Sequence, residues 1–203
     1  MKSGEAPENT RSLALDLTKG IAGKYKFWES PQKVTDYNLE TGIHFLNGYF
    51  ENVLIDKFAI FSNGFLFEGK VATELLEAFA DDVIAFITQE TGIALQPDIR
   101  DTFHSSIEVS ANLKMSSKFK QFSALGEAIA KTLKSYGHET PDYQISLIGL
   151  HCDVWGATGY RPTPFTFDRR AGSAHDKNLY FSSAPLKTAD HLKILEMLEP
   201  LIT

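Results

Sequence analysis

The chain has 203 residues, 43% of them hydrophobic and 23% charged, with a net charge of −6; this is an ordinary globular composition, able to bury a full core without staples. The acidic balance argues against a general nucleic-acid or acidic-membrane binder. The single Cys152 cannot form an intrachain disulfide, and Met1-Lys-Ser-Gly-Glu-Ala-Pro7 lacks the apolar core of a signal peptide, so a cytoplasmic address with no membrane span is expected.

Residues 1–10 are polar, contain Gly4 and Pro7, and read as a disordered arm. Residues 11–203 read as a single α+β domain. Its first part, residues 11–50, is expected to be an irregular or short-strand extension packing on the main sheet: Leu13, Leu15 and Leu17 alternate, Tyr25-Lys-Phe-Trp28 is a short aromatic run, and Asn47-Gly48 suggests a turn. Gly20-Ile-Ala-Gly23-Lys24 is not a phosphate loop, because Thr18 stands where the first glycine belongs and Tyr25 where a magnesium-binding Ser or Thr belongs.

The strongest local signal is Phe58 to Phe67, where two apolar runs meet at Asn63-Gly64, the pair best suited to a type I′ hairpin turn. That turn would oppose Phe61 to Leu66 and Ile60 to Phe67. One face of the hairpin then carries Phe58, Ile60, Phe65 and Phe67, and Phe61 and Leu66 fall on the outer face. Ala72, Leu75, Leu76, Phe79, Val83, Phe86 and Ile87 recur at helical spacing up to a capping Gly92, with Glu74 and Glu77 outside.

His104 to Met115 alternates cleanly and predicts a strand with Ile107, Val109, Ala111, Leu113 and Met115 on its dry face. A helix from Ser116-Ser117 to Gly137 would turn Phe119, Phe122, Leu125, Ile129, Leu133 and Tyr136 inward and leave Lys120, Lys131 and Lys134 outside. Tyr143 to Trp155 reads as a central strand with a bulge near Gly149, with Cys152 a buried thiol. A second hairpin, Thr163–Arg170 with Leu179–Ser183, precedes a last helix capped by Thr188 with Ile194, Leu195, Leu198 and Leu201 inside. The expected fold is thus a mixed or antiparallel sheet of about six strands with three helices mainly on one face, two hairpin–helix units in a two-layer sandwich.

Chemistry is sparse. His151 and Asp153 share a strand face, as a general base and its carboxylate partner would; with His175 they form one catalytic candidate. Asp168, Arg169, Arg170 and Asp176 are the matching candidates for binding a phosphate or carboxylate, the guanidinium supplying the fork. This alternative is an enzyme or binder acting on an anionic small molecule or phosphoester. His104-Ser-Ser106 and His138-Glu-Thr140 formally match the His-x-Ser/Thr pattern of two-histidine phosphoesterases, but His138 is expected in a loop. His191 should be packed in the last helix. No metal-ligand spacing is present and no cofactor is implied. The leading expectation is a non-catalytic protein that binds itself or another protein, using Phe61 and Leu66 with Glu74, Glu77, Lys131 and Lys134 as polar contacts, the acidic and basic helix exteriors being complementary.

Overall fold

A computed structural model describes residues 8–93, 102–111, 118–139, 143–153, 155, 160–173 and 177–202. The strands fall into two antiparallel sheets, one of three strands and one of four, and the chain divides into two compact units, Met1–Arg100 and Asp101–Thr203. The α+β class holds, but the expected single sheet of about six strands is two sheets with seven strands, and there are four α-helices among the described residues rather than three.

The first unit runs α1 (Glu8–Lys24), β1 (Ile43–Phe50), β2 (Val53–Phe61), β3 (Gly64–Glu68) and α2 (Thr73–Thr91). The expected strands near Leu13 to Leu17 are instead part of α1, so the first helix begins inside the stretch read as an arm and an irregular extension; residues 1–7 lie outside the described residues. The helical period was carried by residues that do not look like core on their own. Thr18 and Ile21 are buried, Leu17 and Ala22 half-buried, and Leu15 is on the surface. Thr18 is tolerated there because its hydroxyl donates to the Leu15 carbonyl at 3.0 Å.

Asn47-Gly48 lies within β1, and the turn comes later, at Glu51 and Asn52, both with positive φ (49° and 63°) between the paired Phe50 and Val53. Gly48 is needed for another reason: a Cβ on it would sit 2.5 Å from the ring of Phe27, which lies over the strand. Asn47, with φ 55°, marks a slip in the core phase shared by both strands. Phe45 and Gly48 of β1 and Phe58 and Ile55 of β2 all face inward, three residues apart instead of two.

The expected hairpin forms with its turn moved by one residue. Phe61 opposes Gly64 and Ile60 opposes Phe65, so Ser62 and Asn63 occupy the turn. The change of partner is by two residues, and the faces therefore survive. Phe58 stacks on Phe45 and Phe67 at 5.4 and 5.0 Å, and Phe79 of α2 meets Phe67 edge-on at 5.5 Å. Phe79, Val83 and Ile87 are buried as the helical spacing predicts, and Gly92 ends α2 in the left-handed conformation.

The second unit runs β4 (Ser105–Ser110), α3 (Ser123–Ser135), β5 (Leu147–Leu150), β6 (Phe165–Arg169), β7 (Leu179–Ala184) and α4 (Thr188–Ile202), with strand order β4-β7-β6-β5. The second hairpin forms as expected, Arg169 opposing Tyr180. Along β4, Ile107 and Val109 are half-buried and Ser106, Glu108 and Ser110 exposed; Leu113, Met115 and the Ser116-Ser117 cap lie outside the described residues. Three expectations are overturned. The strand after Tyr143 is the sheet edge, not its centre, with Leu147 and Leu150 on the surface. Cys152 lies beyond its end and is exposed. The face of α3 read as inward is mostly outward: Phe122, Leu125, Ile129 and Tyr136 are 50%, 59%, 37% and 68% exposed.

Candidate functional site

The most organised polar cluster lies in the second unit and was not among the expected sites. Three side chains from three elements meet at His191 of α4. Ser105 Oγ, at the start of β4, is 2.8 Å from Nδ1, and Ser182 Oγ, on β7, is 2.8 Å from Nε2. His191 and Ser182 are wholly buried and Ser105 nearly so. The Ser182 hydroxyl donates to the Thr166 carbonyl at 2.8 Å, so its oxygen accepts from the ring; Nε2 carries the imidazole proton and Nδ1 accepts from Ser105. Phe165 closes one side edge-on at 6.0 Å. Burial, and then the electrostatic influence of nearby His104, push the His191 pKa below its ordinary value.

This arrangement resembles part of a catalytic triad in composition only. Both ring nitrogens are engaged by hydroxyls, and no surface of the histidine reaches solvent. Nucleophilic catalysis requires a hydroxyl that a substrate can approach and a base free to take its proton. The cluster is a polar pin joining β4, β7 and α4. His191 is packed in the last helix as expected, with serine hydroxyls as its side-chain partners, two single residues far apart in sequence that periodicity does not flag.

The expected His/Asp/Arg site is pulled apart by strand register. Leu150 opposes Phe165 and Leu147 opposes Asp168, so exposed His151 and Asp153 continue from one end of the β5–β6 pair, while Arg170 and the loop after it leave from the other. Roughly 20 Å of strand separates His151 from Arg170. Asp153 accepts from the Trp155 backbone N–H at 2.9 Å. Asp168 and Arg169 are half-buried on β6, and the Arg169 guanidinium lies 5.3 Å over the Tyr180 ring. Arg170 reaches across β7 to form an ion pair with Glu108. His175 and Asp176 lie outside the described residues. His104 and His138 of the formal phosphoesterase pattern are both exposed; His104 is hydrogen-bonded to Thr163 at 3.2 Å, and His138 follows α3.

The expected contact residues are also distributed. Phe61 is half-buried, its ring 6.1 Å from His44, and Leu66 is half-buried opposite the fully buried Ala59. Glu74 and Glu77 belong to the first unit. Lys131 and Lys134 are exposed on α3 in the second, where Lys134 makes a 3.6 Å pair with Glu139.

What remains is the surface of α3. The helix is seated on one side, where buried Gly126 lies so close to the Tyr143 carbonyl that a Cβ would meet it at 2.4 Å. At ~100° per residue, Phe122, Leu125, Ile129 and Tyr136 form one exposed stripe, flanked by exposed Gln121, Ala128, Thr132 and Ser135. The hydroxyls of Thr132 and Ser135 donate back to carbonyls of the same helix, at 2.8 and 2.6 Å, which withdraws them as outward donors. Glu127, Lys131 and Lys134 lie on the opposite side, so the stripe and its flank carry no charge. Beside Phe122 and Tyr143 runs a groove of about 170 Å³, also lined by Phe119, Glu127, Gln144 and Ile145, which is below the ~300 Å³ of ordinary small-molecule sites.

Among the described residues, no three His, Cys, Asp or Glu side chains gather as a metal site would need, and no helix is long and apolar enough to cross a membrane. Comparison of the chain with protein-family models, curated proteins and solved structures finds no match.

Proposed function

We propose that this chain is a non-catalytic protein-binding module whose contact surface is the uncharged face of α3. The observation that carries the reading is the outward position of Phe122, Leu125, Ile129 and Tyr136, an apolar stripe that a helix packed on a globular core ordinarily turns inward. Together they present on the order of 400 Å² of side-chain surface, the size of the largest apolar patches on monomeric proteins, which are often functional. The hairpin residues Phe61 and Leu66 are secondary in this reading because both are half-buried.

The test is the double variant Leu125→Lys, Tyr136→Lys. Its Tm is expected to stay within ~2 °C of the parent, because neither side chain fills a core, while binding of a hydrophobic fluorescent dye falls sharply. A fall in Tm of ~8 °C or more, equivalent to at least ~1 kcal/mol, would show these residues to be internal packing and remove the surface.

A further inference from the structure

We infer that the occupant of the α3 face is a second copy of the same chain, docked antiparallel about a two-fold axis through Ile129; this rests on the reading of α3 as a contact surface. Taken with half-buried Leu133, at the edge of the stripe nearest Gly126, the exposed apolar positions Phe122, Leu125, Ile129 and Tyr136 form a series spaced three, four, four and three residues apart. That spacing is the same read in either direction. The residue types are symmetric as well: aromatic, Leu, Ile, Leu, aromatic. In an antiparallel two-fold pair each residue meets the one equally far on the other side of the axis. Phe122 then faces Tyr136 of the second copy, Leu125 faces Leu133, and Ile129 faces itself.

The regular helix covers Ser123–Ser135, and Phe122 and Tyr136 carry helical dihedrals at its two ends, so the stripe is continuous over roughly 21 Å. Electrostatics are compatible with self-pairing. Each chain carries −6 overall, and two copies repel wherever like charges are brought together. On α3 they meet through a surface that bears none, with Glu127, Lys131 and Lys134 left on the outer side. The area sets the strength. Two copies withdraw roughly 800 Å² through the stripe, and Gln121, Ala128 and Thr132 bring this near the ~1,000 Å² lower bound for a specific interface. The dimer is therefore weak and concentration-dependent.

Sedimentation equilibrium of the full chain over roughly 1 μM to 1 mM, the range that brackets a weak Kd, should show a monomer–dimer equilibrium. Leu125→Lys should weaken it at least tenfold, and Lys131→Glu, on the outer side, should leave it unchanged. In a Cys152→Ser background, a short bis-maleimide should link Ile129→Cys into a dimer and should not link Lys131→Cys. A strict monomer at 1 mM whose Ile129→Cys thiol reacts quickly with a mono-maleimide overturns self-pairing and leaves the contact surface standing. A monomer in which that thiol is protected overturns both. Loss of the dimer in Lys131→Glu would replace the apolar interface by a charge-paired one and also overturn the inference.

Discussion

The two units solve the same problem, a sheet covered by helices, with different interiors. In the first, Phe45, Phe58, Phe67 and Phe79 stack edge and face around Ile55 and Val83, and the main polar anchor is at the rim, where the Tyr25 hydroxyl donates to Asp82 at 2.7 Å and Lys24 pairs with the same carboxylate at 2.7 Å. In the second, the buried core cluster is built on Phe167, Tyr180 and Ile202, and a histidine held by two serines is buried in the same unit. Aromatic stacking consumes apolar surface internally. Polar pinning does not; the first unit leaves Trp28 and Val34 outside, and the second leaves a larger set, Phe122, Leu125, Tyr136, Leu147 and Leu150 among them.

That contrast can be broken from either side. The largest effect should come from the aromatic core: Phe79→Ala removes a ring packed on Tyr25, Phe50, Phe58 and Phe67, and urea unfolding followed by circular dichroism should show a loss of ~3–5 kcal/mol. His191→Ala should cost ~2–4 kcal/mol, because it leaves a cavity and strands the buried Ser105 hydroxyl, while Ser182 keeps its bond to the Thr166 carbonyl. His191→Phe restores volume without partners, so it should recover only part of that loss. A full recovery would mean the pin contributes packing alone.

Acid and alkali should separate the units. The depressed His191 pKa means the folded state resists a proton that the unfolded chain accepts below about pH 6.5. Stability of the second unit should therefore fall as pH drops through that value, by at most ~1.4 kcal/mol per pH unit for one proton. The first unit carries the opposite liability. Burial, reinforced by Asp82, raises the Tyr25 pKa, so its contribution is intact below about pH 10 and is lost above it, when only the unfolded tyrosine ionises. Thermal melts at pH 5 and pH 10.5, read by amide exchange in each unit, check both signs; loss of the first unit before the second at pH 5 would contradict the assignment.

Smaller effects test the rims. For Asp82, partial burial raises the carboxyl pKa, but the bonds from Lys24 and Tyr25 outweigh it and hold the group below the ordinary carboxylate range. Both charged side chains are more than a third exposed, so Lys24→Met should cost only ~0–1 kcal/mol in a denaturant titration. Leu125→Ser should be smaller still, within ~0.5 kcal/mol in dilute solution. A cost near that of Phe79→Ala would place Leu125 in a core.

Much of the fold was legible because periodicity survives local detail. The aromatic face of the β2–β3 hairpin was recovered despite a wrong turn, since moving the register by two residues returns every side chain to the same side. The second hairpin and the inward Phe79, Val83 and Ile87 followed from alternation and helical spacing alone. α1 was missed because its buried stripe includes Thr18 and its alternating leucines imitate a strand. Asn47-Gly48 was misread because the glycine answers to Phe27, a ring twenty-one residues earlier that no local pattern connects to it.

The site was less legible for a related reason. His151, Asp153 and Arg170 were grouped on strand adjacency, and β5 and β6 are indeed adjacent, but antiparallel register sends the two halves of the group to opposite ends. The buried cluster involves Ser105, Ser182 and His191, where each residue is unremarkable in its own segment and only pairing of β4 with β7 assembles them.

By itself the sequence determined the elements whose signals repeat: the two hairpins, the amphipathic stripes of α2, α3 and, except for Leu201, which is exposed rather than inside, α4, and the absence of a recognisable catalytic motif. Tertiary structure alone decided that the strands form two sheets, that His191 is pinned rather than free, and that the stripe of α3 faces outward. Periodicity reports which side chains share a face, because that depends on backbone geometry. Whether the face is covered depends on which surfaces meet, and distant parts of the chain supply that answer.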